Sequence, residues 1–250
     1  MIVFCNVGEG DGILVKEGLK EAVIDAGPAN GKMKQCLDKF LPFFDREIEV
    51  VFASHYDADH IGGFAQIFAD FKPKKVFGLA KTTKETKTFR NWQQGLRKLG
   101  VRQEAALAGQ VVHLDSWYFE VLYPFFNSDY SVRNLSLVLK LHAFKTFLLG
   151  GDLENPQWQE LIHKHIFLES DILKISHHGS RNGTSKELLE VVRPKEAVIS
   201  VGKNRYGHPH QEVLDLLRQL KIKVRRTDRE GDIVFSPLRE WVSISELEKR

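Results

Sequence analysis

Cysteine is scarce in this sequence: of 250 residues only Cys5 and Cys36 carry a thiol, against 19 glycines and 17 phenylalanines. Two cysteines make neither a zinc-type spacing nor a disulfide framework. The expectation is two small core residues and, by default, a reducing, cytoplasmic setting. Long hydrophobic runs are also lacking, none approaching the roughly 20 residues that span a bilayer, so no membrane segment is expected. A strand-like run, Met1-Ile2-Val3-Phe4-Cys5-Asn6-Val7, begins at once, which leaves no room for a signal peptide. Linkers, low-complexity tracts and short-period repeats are missing, and the length suits one globular domain over residues 1–250. Nothing in the composition speaks to oligomeric state.

A strong overall charge is absent too. The formal net charge of +3 is too small to indicate nucleic-acid binding, but its distribution is uneven. Residues 71–102 hold Lys72, Lys74, Lys75, Lys81, Lys84, Lys87, Arg90, Arg97, Lys98 and Arg102 against one acid, Glu85, so ten minus one gives +9 locally. The rest of the chain is net negative. Such a cluster, with Phe89 and Trp92 interleaved, is a footprint that attracts a phosphate backbone. An ordinary solvated helix reads the same way, because lysines cover helix surfaces routinely.

What is present is an alternation of strand and helix patterns in two blocks. Short strands are expected at Ile2 to Val7, Gly12 to Lys16 and Glu21 to Asp25, then a helix from about Gly31 to Phe44 and a buried strand at Glu49 to Ala53. Further strands fall at Val111 to Leu114, Trp117 to Tyr123, Leu135 to Leu141 and Thr146 to Leu149, with a helix near Pro156. The closing stretch alternates: strand Asp171 to Ser176, helix Lys186 to Val192, strand Ala197 to Val201, helix Glu212 to Leu220. Final strands are expected near Lys223 to Arg226, Asp232 to Phe235 and Trp241 to Ile244. Two such blocks imply an α/β (α+β) chain whose two sheets pack face to face with helices outside, a four-layer αββα sandwich.

Chemistry concentrates where strands end. Ser54-His55-Tyr56-Asp57-Ala58-Asp59-His60-Ile61-Gly62-Gly63 places four candidate metal ligands within six residues, between a buried strand and the start of a helix. A polar surface turn could look like this, but sites in layered α/β folds are built at such junctions. Asp152 follows the strand ending at Leu149. His177 and His178 follow the strand ending at Ser176, and His208 sits in the loop after Val201. An Asp after a strand often caps a helix, and His-His-Gly is often a turn. Four such loops together point to a site. For His113, His142, His163 and His165, in plain strand or helix contexts, a structural role is preferred.

With these motifs the sequence resembles the metallo-β-lactamase-fold superfamily, and within it the β-lactamase-like domain of the ComEC competence family. The resemblance covers most of the chain. It includes Asn6-Val7-Gly8-Glu9-Gly10-Asp11, Ile24-Asp25-Ala26-Gly27, His55-x-Asp57-x-Asp59-His60, Gly151-Asp152-Leu153-Glu154, Ser176-His177-His178-Gly179-Ser180, Tyr206-Gly207-His208-Pro209 and Arg226-Thr227-Asp228. It implies a metallo-β-lactamase-like sandwich carrying two divalent ions, zinc or manganese, that hydrolyses a phosphodiester, most directly a nucleic acid. By resemblance His55 and Asp57 hold the first ion, Asp59 and His60 the second, and Asp152 bridges them.

One of His177 and His178 completes the second site, with His177 favoured as nearer the strand end. Asp57 stands where the superfamily usually has His, and Asn134 stands roughly where a further histidine would complete the first site. Two ions can acidify a shared water and clamp the attacking and leaving oxygens, which is why carboxylates and neutral imidazoles are needed together. Asp59 and His208 are the catalytic candidates, His208 donating to a phosphate oxygen or the leaving group. Asn134, Ser180, Lys81, Lys84 and Lys87 are the candidate substrate contacts. The alternatives are a small-molecule ester or cyclic-nucleotide hydrolase of the same fold, and a non-catalytic nucleic-acid-binding module.

Overall fold

The computed structural model describes residues 1–83, 85–131, 135–237 and 239–243. The chain opens with β1 (Ile2–Phe4), β2 (Gly12–Glu17), β3 (Lys20–Ala26), α1 (Lys32–Phe40) and β4 (Glu47–Phe52). It continues through α2 (Ala58–Ile61), α3 (Phe64–Asp70), β5 (Lys72–Gly78), α4 (Lys87–Leu99) and β6 (Gln103–Ala105). A meander follows: β7 (Val111–Leu114), β8 (Trp117–Tyr123), β9 (Val138–His142) and β10 (Thr146–Leu149). The last part is α5 (Asn155–His163), β11 (Ile172–Lys174), α6 (Lys186–Val192), β12 (Glu196–Ile199), α7 (Gln211–Gln219), β13 (Lys223–Arg226), α8 (Thr227–Glu230), β14 (Ile233–Ser236) and β15 (Arg239–Ser243).

Two mixed sheets result. One has eight strands in the order β15-β14-β1-β2-β3-β4-β5-β6, the other seven in the order β13-β12-β11-β10-β9-β8-β7. Strands β3 to β6 are parallel, as are β10 to β13, and each such run needs crossover helices. Covered on both sides, these strands read as continuous apolar runs: Val50, Val51 and Phe52 are all buried, as are Ala197, Val198 and Ile199. Between the sheets Phe52 lies against Phe119 with centroids 4.9 Å apart, and Phe147 against Phe235 at 5.3 Å. The expected αββα sandwich of two facing sheets is what the chain forms.

Two expectations need correction. The basic segment is not one solvated helix: its first part is β5, paired on both sides in the larger sheet. Only Lys87–Leu99 is helical, capped by the Thr86 hydroxyl, which accepts from Phe89 N, and ended by Gly100 in the left-handed region at φ 69°. Phe89 and Trp92 are not surface aromatics; Trp92 packs on Phe64 at 4.7 Å and Phe89 on Tyr56 at 4.7 Å. The cysteines are buried as expected, but Cys5 and Cys36 are bonded to each other, which joins the end of β1 to α1. Spacing could not show this, because the fold alone brings their Cα atoms to 6.1 Å.

Candidate metal centre

The site lies at the edge of the sandwich where parallel strands from both sheets end. Ser54–Asp59 leaves β4, Gly150–Asp152 leaves β10, Ser176–Gly179 leaves β11, and 200–208 leaves β12. Side chains from the four loops converge on a cleft of about 460 Å³.

Three buried imidazoles are oriented by the same device: each commits Nδ1 to the protein and leaves Nε2 facing Asp152. His60 Nδ1 donates to Asp25 Oδ2 at 2.8 Å, and His178 Nδ1 donates to the Ser200 carbonyl at 3.0 Å. His55 Nδ1 lies 3.0 Å from Ser54 Oγ, whose own proton goes to Asp25 Oδ2 at 2.6 Å. Asp25 thus holds two of the histidines in register, one directly and one through Ser54. The Nε2 atoms of His55, His60 and His178 and Oδ1 of Asp152 are buried with no hydrogen-bond partner among the described residues. Buried polar atoms are rarely left so, and imidazole nitrogens gathered about a carboxylate are the donor chemistry of divalent cations.

Asp152 joins the two halves. Its Oδ1 lies 3.2 Å from His60 Nε2 and 3.6 Å from His178 Nε2, while Oδ2 lies 3.8 Å from His55 Nε2 and 3.7 Å from His177 Nε2. Asp59, His60, Asp152 and His178 each offer an atom within 4.8 Å of the others. His177 is outside that group: it is partly exposed and its Nδ1 faces Glu154 Oε1 at 3.4 Å. The neighbouring histidines part company because both have positive φ, 50° and 55°, in a tight 3-10 turn that sends consecutive side chains apart. Left-handed backbone at non-glycine residues costs roughly 1–2 kcal/mol each, a strain typical of functional loops. Asp57 lines the same cleft with its Oδ2 at 3.6 Å from His55 Nε2.

The electrostatics follow from crowding carboxylates and imidazoles out of water. Burial disfavours the charged form of His178, but Asp152 and Asp11 outweigh it and push its pKa up to about 10. His60 is likewise burdened by burial, and Asp152 and Asp25 raise it well above the usual imidazole value. Burial opposes ionisation of Asp152, yet His60 and His178 hold its carboxyl well below the ordinary range. The cluster therefore demands positive charge, from protons or from a cation.

Sequence reasoning named no role for several residues that build this centre. Asp11 is buried and ion-paired to the buried Lys174, whose Nζ also donates to the Gly151 carbonyl at 3.1 Å, next to Asp152. Asp11 Oδ1 lies 3.5 Å from His178 Nδ1. Gly10 is obligatory, since a Cβ there would sit 2.1 Å from the Asp59 carbonyl oxygen. Lys174 reads as a strand residue and nothing more; Asp11 and Asp25 were visible only as parts of recurring motifs.

Of the other predicted residues, Ser180 and His208 line the metal cleft. His208 is positioned by Asn204, whose Oδ1 accepts from His208 N and whose Nδ2 donates to the His208 carbonyl. Burial, with His177 and His210 nearby, lowers the His208 pKa to about 4. Lys81 lines a different cleft, Lys87 is an exposed residue of α4, and Lys84 and Asn134 lie outside the described residues.

A fold of two mixed sheets with a histidine-aspartate cluster at their edge defines a metal-dependent hydrolase framework, and the chain belongs to the metallo-beta-lactamase superfamily, whose family model matches residues 6–132. It is 35% identical over 195 residues to ComE operon protein 3 of Bacillus subtilis, a match covering 76% of this chain and 25% of that protein. The chain thus spans about a quarter of the length of that relative. Among solved structures it is similar to the metallo-beta-lactamase fold protein YhfI of Bacillus subtilis, with a TM-score of 0.61 and 12% identity over 92% of this chain and 98% of that one. The short form of human tRNase Z matches with a TM-score of 0.54 and 14% identity, covering 94% of this chain and 100% of that one.

Proposed function

We propose that residues 1–250 form one domain that hydrolyses phosphodiesters, with nucleic acid as substrate and two divalent ions as cofactor. The observation that carries this is the convergence of three orphaned imidazole Nε2 atoms on one buried carboxylate, Asp152, with the rings oriented from behind by Asp25, Ser54 and the Ser200 carbonyl. A relative named as a competence protein and a fold neighbour named as a tRNase support phosphodiesters over other esters.

In this reading Asp59, His60 and His178 would hold one ion and His55 and Asp57 the other, with Asp152 serving both. His178 takes the place that sequence reasoning favoured for His177. His177 instead faces the Asp152 oxygen that also faces His55. Bound ions would neutralise the substrate's charge and make a water acidic enough to attack. The chain's own residues do the rest. Asp25 and Ser54 keep His60 and His55 in the ligating tautomer, and Lys174 holds Asp11 and the Gly151 carbonyl behind Asp152. His208 is neutral at physiological pH, and cations beside it would lower its pKa further, so it serves as a hydrogen-bond donor to a phosphate oxygen rather than as an acid. Ser180 lines the same cleft as a substrate contact.

Asp57 makes the first site oxygen-rich, which favours manganese over zinc in turnover. A cytoplasmic setting rested on unpaired cysteines, and the Cys5–Cys36 bond removes that support. The test is to strip metals with chelator, reconstitute with zinc or manganese, and assay single-stranded DNA, duplex DNA, RNA and bis(p-nitrophenyl) phosphate, with Asp152→Asn as control. Hydrolysis of a diester that vanishes in the variant is expected. Turnover of none of them, or an unaffected variant, overturns the reading.

A further inference from the structure

We propose that the cleft between α4 and the turn after β5 is a second subsite, which holds a nucleotide of a single-stranded nucleic acid flanking the diester bound at the metal centre. It rests on the phosphodiesterase reading above. This cleft, of about 400 Å³, shares no lining residue with the metal cleft. The two are nonetheless neighbours. β4 and β5 run parallel with Phe52 opposite Phe77, so the turn beginning at Leu79 leaves the sheet at the same edge as Ser54–Asp57, one strand spacing of roughly 5 Å away.

Tyr56 links them. His55 faces Asp152 and Asp57 lines the metal cleft, whereas the intervening Tyr56 turns its ring into the second one, where Oη donates to the Leu79 carbonyl at 2.8 Å and accepts from Gln103 Nε2 at 2.6 Å. Gly78 permits this approach, since a Cβ there would lie 2.8 Å from Tyr56 Oη.

The chemistry of the walls identifies the occupant. Lys81, Arg97 and Arg102 line the cleft, are exposed, and have no carboxylate within ion-pair distance among the described residues. No acidic residue lines it. Lys74, on the same basic segment, is by contrast spent on Glu47 and Glu49. Three cations around an apolar floor that includes Trp92 and Leu96 match the phosphate and the base of one nucleotide. Base edges find few free partners here. Gln103 already accepts from Trp92 Nε1 at 3.0 Å and donates to Tyr56 and Leu79. The subsite is therefore tolerant of sequence, and it selects single strands because a paired base would have to leave its stack to enter.

The experiment measures binding of a labelled short oligothymidylate to the metal-stripped protein, where no cleavage can occur, as a function of salt. For Arg97→Glu/Arg102→Glu the expected result is affinity lower by roughly tenfold or more and a salt slope shallower by about two. The corresponding duplex should be affected much less, and bis(p-nitrophenyl) phosphate turnover in the reconstituted variant should be unchanged. Unchanged affinity and slope overturn the subsite, and so does a polyglutamate peptide that binds equally well and loses equally. If the charge reversal also lowers the thermal midpoint, Arg97→Gln/Arg102→Gln decides by the same criteria. Because binding is read without metal, a protein that cleaves no diester but shows the loss keeps the subsite and sinks the phosphodiesterase reading. A diesterase indifferent to both variants does the reverse.

Discussion

Asp25→Asn should weaken metal binding while leaving the fold intact. Asp25 is buried and accepts three hydrogen bonds, from Ser54 N at 2.8 Å, Ser54 Oγ at 2.6 Å and His60 Nδ1 at 2.8 Å. Its backbone has φ 57°, the left-handed region that asparagine tolerates and alanine does not, so the amide is the least disturbing replacement. With its oxygen in the Oδ1 position the asparagine keeps the bond from Ser54 N, and its NH2 group then faces both Ser54 Oγ and His60 Nδ1. Two donors cannot share that contact, and the relaxed state moves the His60 proton to Nε2. That is the atom aimed at Asp152 from 3.2 Å, so its lone pair is lost to any cation. Losing an outer partner of this kind typically costs 10- to 100-fold in metal affinity, about 1.4 to 2.7 kcal/mol. Competition against a chelator of known affinity, followed by direct metal analysis, measures the change. Circular dichroism and the thermal midpoint of the metal-free protein check the fold. Affinity equal to the parent in a folded variant would refute the tautomer mechanism, and a collapse of the metal-free protein would show that Asp25 serves packing instead.

Other outcomes follow from the same geometry. Gly10→Ala forces a Cβ to 2.1 Å from the Asp59 carbonyl oxygen, at a residue with φ 134°, so metal occupancy and activity should both drop sharply; a fully active Gly10→Ala enzyme would mean the loop is free to move. His208→Gln should reduce diester turnover by roughly 10²-fold with metal content unchanged. Since His208 loses its proton near pH 4, the pH-rate profiles of parent and variant should share one shape between about pH 6 and 8; an acidic limb missing only from the variant would restore His208 as a proton donor. Replacing both Cys5 and Cys36 with alanine opens a loop of 31 residues and should lower unfolding free energy by about 3–4 kcal/mol, read from denaturant titration; an unchanged midpoint would show the bond does not form in solution.

Much of the site could be read locally. His55 and Asp57 fall in the turn after a buried strand and Asp59 and His60 in the short helix that follows it, and Asp152 and the histidine pair follow strands whose apolar runs are unmistakable. Both signals span a few residues, which is the range over which side-chain periodicity and loop chemistry act. The strands Val111–Leu114, Trp117–Tyr123, Thr146–Leu149 and Lys223–Arg226 were legible to the residue for the same reason. β5 was not, because KPKKVFG carries too many lysines for a buried strand; pairing on both sides within the sheet supplies what its composition lacks.

The sequence by itself determined which chemistry is available: the ligand types, their order, and the strand ends that present them. Tertiary structure decided how that chemistry is aimed. Asp25 meets His60 across 35 residues and Lys174 meets Asp11 across still more of the chain, contacts that no window of sequence contains. The same holds for Cys5 and Cys36, and for the left-handed turn that aims His178 rather than His177 at Asp59. Local patterns are set by a few neighbouring dihedrals, whereas tautomers, ion pairs and cross-links depend on atoms that meet only when two separate sheets close on each other.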